Sequence, residues 1–345
     1  MKYPISIRSP IASFLLDRRA PWVWLALLLA NGALFTVNLG SGELSIPPLD
    51  VWLALLGQGS SADQMILHSL RLPRVVTACL VGIAMGTAGA LFQGVMRNPL
   101  ASPDIIGVTG GASVAAVAVL TFTGSGGGGW LPLAAFGGGA AAAALIYILA
   151  WKEGVSPLRL VLIGIGIQTA AQGLTTLFLI LSPIHTTSQA MVWLTGSIYA
   201  SSWSTVYNLL PWLTVFLPLA WLLTRPLNLL QLGDPVAVGL GGAIQWHRFA
   251  ITLTGVALAA AAVSVAGPIG FVGLMAPHIA RLLTGPAYGS MLPAAALTGS
   301  MLVMAADWVA RIAFSPLDLP AGLFTAVLGA PFLLVLLLRS DRHST

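Results

Sequence analysis

Few residues in this chain are placed to do chemistry, and the most conspicuous are three arginines, Arg71, Arg74 and Arg311. A guanidinium makes bidentate contacts with a carboxylate, so their natural chemistry is recognition of acids. Asp307 lies four residues before Arg311, which puts the two on one helix face and within reach of an ion pair. A carboxylate at the centre of an apolar span costs about 2.5–3.5 kcal/mol, so Asp307 is expected to be paired, with Arg311 as its partner. Arg71 and Arg74 flank Leu72-Pro73. Two readings stay open for them. One is snorkelling of long basic side chains at a membrane interface. The other is recognition of carboxylates on an external partner by exposed arginines.

Catalysis finds no comparable footing. Lys2 and Lys152 are the only lysines, and neither follows a glycine-rich run, so no phosphate-binding loop of the G-x-x-x-x-G-K-[ST] type exists. The chain therefore does not hydrolyse ATP in that manner by itself. His68, His185, His247, His278 and His343 are scattered without metal-ligand spacing, and no paired carboxylates face a common cavity. Cys79 sits in an apolar run and reads as a small buried hydrophobe. The expectation is a non-catalytic chain that binds no metal and no cofactor of its own.

The elements that must position these groups are membrane spans. Of 345 residues, 57% are hydrophobic and only 7% charged, and mean hydropathy is +0.92. A soluble surface needs about 25% charge, so lipid is the main solvent. The basic balance reflects scarce acids; no basic run points to nucleic acid. A span needs ~20 mostly apolar residues. Ten candidates emerge at 22–39, 74–95, 105–122, 130–150, 158–181, 204–223, 249–266, 269–283, 293–312 and 321–338. The eighth is short and holds Pro277, as a broken helix sheltered by protein or a cavity would. The first lacks a close small-residue cleavage site and reads as a retained span. With the N-terminus in the cytoplasm, twelve Lys and Arg fall inside and only Arg71, Arg74 and Arg311 outside. That asymmetry sets the orientation, with both termini cytoplasmic.

The connections carry the remaining signals. The outer segment 40–72 holds Glu43, Asp50 and Asp63, and 124–129 is a glycine-rich connection. Residues 187–198 read equally as a short helix across a pore mouth or as an interfacial loop. On the inner side, residues 97–104 form a polar turn with two prolines. Residues 225–248 are the longest inner connection. There Asp234 before Pro235 reads as an N-cap, and Gly241 or Gly242 as the stop of a short helix. Such a displayed helix suits docking into a partner's groove. No internal duplication is evident.

Several long segments carry a family resemblance. They are RLPRVV at 71–76, GALFQGVMRNPLASPDIIGV at 89–108, GDPVAVGLG at 233–241, GPIGFVGLMAPHIARLLTG at 267–285, LTGSMLVMAADWVAR at 297–311 and LPAGLFTAVLGAPFLLVLLLR at 319–339. In this order they resemble the permease family of ABC importers for ferric siderophores and cobalamin. MVWLTGSIYASSWS at 191–204 is most similar to a ferric-dicitrate-type subunit, with hydroxamate and catecholate types kept open. The resemblance implies an all-α, ten-helix membrane fold. It implies one permease domain over 22–339 in the cell inner membrane; the basic segment 1–21, longer than that family needs, takes nothing from the resemblance and is placed in the cytoplasm, like the tail 340–345, by the charge asymmetry. The resemblance further implies a second permease subunit (identical or different) and two ATP-binding cassette subunits that bind the ATP and magnesium. A periplasmic or lipid-anchored substrate-binding protein completes the set. Arg71, Arg74 and Arg311 are then docking residues for the binding protein, and Gly233, Asp234, Leu240 and Gly241 couple to the ATPase. The alternatives are a cobalamin or haem permease, an ion-coupled secondary transporter, which would need coupling acids, and a polytopic enzyme, which would need a clustered site.

Overall fold

The computed structural model describes residues 5–8, 13–42, 44–123, 129–199, 201–314 and 317–341. Glu43, most of the glycine-rich connection at 124–128 and residues 342–345 of the tail lie outside them.

All ten expected spans are helical. In chain order they are Ala20–Gly40, Leu72–Met96, Val108–Thr123, Trp130–Leu149, Pro157–Leu181, Trp203–Leu222, Ile244–Ala266, Val272–Thr284, Tyr288–Ile312 and Ala321–Asp341, called here the first to tenth spans. Among the described residues eight helices are long and apolar enough to cross a membrane, and Val108–Thr123 is apolar but shorter. The eighth span keeps Pro277 inside its short helix. It starts from Phe271, which adopts a left-handed backbone with φ 67°.

Burial separates a centre from a shell. Of the most apolar window of each span, 78% is buried in the second and seventh and 67% in the ninth, against 17–22% in the first, fourth, fifth, sixth and tenth. The centre is close-packed because small residues let backbones approach. A Cβ on Gly82 would lie 2.3 Å from the Gly299 carbonyl oxygen, so the second and ninth spans cross with no room for a side chain. Apolar contact between helices is no stronger than contact with lipid, so this backbone proximity is what holds such helices together.

Three connections matter for the sites. The second span is extended backwards by Ser61–Met65 and a π-helical turn, Ile66–Arg71, into one helical run from Ser61 to Met96. Arg71 thus sits on a helix rather than in a loop. Ile184–Leu194 is a helix, so the stretch 187–198 is helical only as far as Leu194. Asp234–Gly239 is the short helix expected in the longest inner connection. The sequence also hides one departure from an all-helical chain. Ile5–Arg8 pairs antiparallel with Ser13–Leu16, a short hairpin ahead of the helical body. Alternation of apolar and polar residues in Ile5-Ser6-Ile7-Arg8 is the pattern of a strand.

Candidate functional sites at the two ends of the bundle

At one end the three arginines gather around the end of the first span. Arg74 is 8% exposed and Asp307 1%. Arg74 donates from Nε to both Asp307 oxygens at 3.1 Å and from Nη2 to Oδ1 at 2.9 Å. Its Nη1 reaches Asp318 Oδ1, on the connection before the tenth span, at 3.3 Å. The guanidinium carbon also stands 5.6 Å from the centre of the Tyr199 ring, within cation–π range. One cation therefore ties the second span, the ninth span and the following connection together.

Arg71 and Arg311 do different work. The last carbonyls of a helix lack intrahelical partners, and cations are favoured there. Arg71 Nη1 donates to Leu39 O at 2.7 Å, and its Nη2 to Leu44 O. Arg311 Nη2 donates to Asn38 O at 2.7 Å. Both arginines cap the end of the first span. Asn38 is buried and anchored by its own amide, which donates to Leu34 O at 3.0 Å and Met304 O at 3.4 Å.

Two expectations are corrected by this geometry. Asp307 is hydrogen-bonded to Arg74, across two helices, and not to Arg311. Arg311 shares its helix face, but its side chain turns instead to the unsatisfied carbonyl at Asn38. Arg71 and Arg74 are also not exposed groups awaiting an external acid. Both are buried, because the helical run continues past them and brings carbonyls and carboxylates within reach. Arg311 is half-buried and, with Asp318, lines an open cleft of about 670 Å³ bounded by Gly40, Ser41, Pro47 and Ile312.

At the opposite end the charges are arranged in reverse. Asp234 accepts from Arg248 Nη2 at 3.1 and 3.2 Å and pairs with Arg97 Nη2 at 3.2 Å. Arg97 follows the second span directly. Arg248, 1% exposed, lies in the first turns of the seventh span and also donates from Nη1 to Val155 O. The Val155 N–H in turn donates to Gln245 Oε1 at 3.0 Å. One carboxylate thus links the ends of two central spans to the short helix and to the turn after the fourth span.

The cap of this helix differs from expectation. Gly233 is the N-cap, at φ 92°, and Asp234 is already in the first turn beside Pro235. A left-handed cap needs glycine, and this placement leaves the Asp234 carboxylate free to face Arg248. The stop is as expected. Gly241 has φ 80°, and its N–H donates to Val238 O at 2.8 Å, while Gly242 N–H donates to Ala237 O at 2.9 Å. Val236 and Leu240, four residues apart, are exposed on one side of this helix and its cap, an apolar face, and Val238 is exposed on the other.

Sequence reasoning missed Asn38, Asp318 and Tyr199 at the first end and the pairing of Arg97 and Arg248 with Asp234 at the second. Asn38, a carboxamide closing an apolar span, was a usable signal.

The segments that form both ends coincide with a known family. The FecCD transport family matches residues 27–339. The chain belongs to that family. The achromobactin transport system permease protein CbrC of Dickeya dadantii is 48% identical to this FecCD chain over 322 residues, covering 93% of it and 92% of CbrC. The probable siderophore transport system permease protein YfhA of Bacillus subtilis is 46% identical over 330 residues, covering 94% and 96%. The Fe(3+) dicitrate transport system permease protein FecD of Escherichia coli is 40% identical over 319 residues, covering 92% and 98%. A solved inward-facing metal-chelate type ABC transporter superposes with a TM-score of 0.80 at 31% identity, over 92% of this chain and 99% of that one. The ten-helix FecCD fold read from the sequence is the fold observed.

Proposed function

We propose that this FecCD chain is the membrane permease subunit of an ATP-driven importer of ferric siderophores. The observation that carries the reading, beside the family itself, lies on the fifth span. Thr169, Gln172 and Thr176 are exposed along one side of a mostly apolar helix that also carries Gln168 and Thr175, both less exposed. An exposed carboxamide deep in a span is costly in lipid and belongs against a water-filled path or another protein. A pathway between this chain and a second permease subunit, identical or different, satisfies it. Residues 22–339 act as one permease domain.

In this reading both termini and the Asp234 end face the cytoplasm. ATP is bound and hydrolysed, with magnesium, by two partner cassette subunits. The helix Asp234–Gly239, with Gly233, Leu240 and Gly241 shaping its ends, seats against them through its exposed apolar face. Motion passes from Asp234 through Arg97 and Arg248 into the second and seventh spans. The other end meets a substrate-binding protein. There Arg311 at the open cleft is the direct contact, and Arg71 and Arg74 position the surface from beneath. The siderophore class follows the named relatives; a cobalamin or haem cargo is the alternative within the same machinery.

The test is reconstitution with the cassette subunits and a binding protein loaded with ferric dicitrate or ferric achromobactin. ATP-dependent uptake is expected, with Gln172→Leu slowing it while assembly persists. Uptake driven by an ion gradient without ATP would sink the reading.

A further inference from the structure

At the Asp234 end a second feature is independent of what crosses the membrane. A cleft of about 410 Å³ opens between the ends of the second, eighth and ninth spans and the helix Thr224–Leu230. Gln93, Arg97, Asn98, Asn228, Gln231, Arg281 and Tyr288 supply its polar lining, and no carboxylate lines it.

Most of the lining donates; Gln231, whose Nε2 is spent on Gly94 O at 2.8 Å, is the exception. Arg281 Nη2 donates to Gln93 Oε1 at 3.3 Å. Gln93 is 2% exposed, and its Nε2 is fixed to Leu274 O at 3.2 Å. A buried, anchored carboxamide therefore holds one arm of the Arg281 guanidinium. The Tyr288 phenol lies beside the same guanidinium. Asn98 Oδ1 accepts the Leu100 N–H at 2.9 Å, and Asn228 Oδ1 accepts the Tyr288 N–H at 3.0 Å. Each asparagine is thereby fixed by its Oδ1 on a backbone N–H, which leaves its Nδ2 hydrogens as donors, although the oxygen could accept a second bond. The second guanidinium, Arg97, turns one arm to Asp234, which Arg248 shares. Two cations and several donors around one opening, with no acid among them, fit an anion with several oxygens.

The place in the fold selects the anion. The cleft sits where three spans end, which is the depth of lipid headgroups. Leu282 and Leu283, next to Arg281 in sequence, are 75% and 43% exposed. The two leucines lie outside the cleft, whose own apolar lining includes Pro286 and Ala287; apolar and basic groups at that depth are suited to acyl chain and phosphate together, and basic pockets between spans bind acidic headgroups. We propose that this cleft binds the phosphate of an anionic phospholipid. A free phosphate offers the same oxygens without the apolar contact.

The test uses the whole chain purified in detergent and titrated with phosphatidylglycerol, phosphatidylcholine or inorganic phosphate, with bound molecules counted by native mass spectrometry. The wild type is expected to retain phosphatidylglycerol about tenfold over phosphatidylcholine, and Arg281→Gln to remove most of that preference. Arg281→Lys should keep much of it through charge alone, and Tyr288→Phe should lower it with the fold intact. Arg225→Gln, an exposed cation at the same end outside the cleft, should change nothing. Equal retention by wild type, Arg281→Gln and Tyr288→Phe overturns the site. Full displacement by millimolar inorganic phosphate overturns the lipid as occupant. Loss of cassette-subunit binding in Arg281→Gln with unchanged lipid retention assigns the arginine to a protein carboxylate and overturns the proposal.

Discussion

The two ends of the bundle solve one electrostatic problem in opposite ways. At one end a single cation, Arg74, is held by two acids, Asp307 and Asp318. At the other a single acid, Asp234, is held by two cations, Arg97 and Arg248. The side chains of Arg74 and Asp307 are 9% and 2% exposed, whereas that of Asp234 is 39% exposed and rides on a six-residue helix. The first arrangement locks buried spans to each other. The second ties span ends to a small, solvent-facing element, where water lowers the cost of letting go. Rigidity at one end and a releasable link at the other is what a subunit needs if motion is to enter from one side only.

Breaking the buried lock should have the largest effect. Arg74→Met strands the Asp307 carboxylate in the interior, and removing one partner of a buried pair costs about 3–5 kcal/mol. The expected outcome is a protein recovered poorly from membranes and melting well below wild type in detergent. A variant that melts with the wild type would show that the lock does not hold the spans. Asp307→Asn should be milder, because Arg74 keeps Asp318 and a carboxamide still accepts.

Asp234→Asn tests the other end and should divide stability from function. Arg248 would lose a charge-assisted contact of about 1.5–3 kcal/mol but keep the Val155 carbonyl, so the spans should stay folded. Transport and cassette-subunit association should fall far more than the melting temperature does. If both fall in proportion, the link is structural only and the comparison fails. Gly241→Asp acts on the same helix by another route. A non-glycine residue at φ 80° costs roughly 1 kcal/mol or more, although a Cβ there meets nothing within 4 Å. Deleting residues 234–241 should abolish transport outright with the protein still in the membrane; normal uptake by the deleted chain would refute the coupling role.

How much of this was legible in advance follows from range. Span positions depend on local composition, and the ten helices fall within a few residues of where hydropathy puts them. The stop at Gly241 and Gly242 is equally local. The partner of Asp307 was not legible. The i, i+4 spacing to Arg311 is a true local relation, yet Arg74 lies 233 positions away and approaches only because Gly82 and Gly299 let two helices nearly touch. The burial of Arg71 was hidden because the π-helical turn before Leu72 is invisible to a hydropathy pattern. Asp234 shows the same limit on a smaller scale. Asp234 with Pro235 predicted a helix start correctly, but which residue caps depended on Arg248 drawing the carboxylate away.

Asp104 sharpens the comparison with the smallest expected effect. It lies in the turn after the second span, on Pro103–Ile106, so it belongs to the same end as Asp234. Its side-chain hydrogen-bond partner is a hydroxyl rather than a cation. Ser102 Oγ donates to Oδ2 at 3.3 Å. Burial pushes the Asp104 carboxyl above its usual range, and the hydroxyls of Thr109 and Ser102 and the backbone only partly oppose this. The folded chain therefore holds this proton more tightly than the unfolded chain, whose carboxyl titrates near ~3.9. Where the folded state binds more protons, stability falls as pH rises. The loss begins near the unfolded value and is complete once pH has passed the raised folded value. Asp104→Asn removes the titration and keeps an acceptor for the Ser102 hydroxyl. Its melting temperature in detergent should match wild type at pH 4 and exceed it slightly at pH 7.5. A variant less stable than wild type at pH 7.5 would mean that the charged carboxylate is favoured there. Hydrogen-bond donors around the carboxylate would then outweigh its burial, and this acid would join Asp234 among those whose charge the fold stabilises.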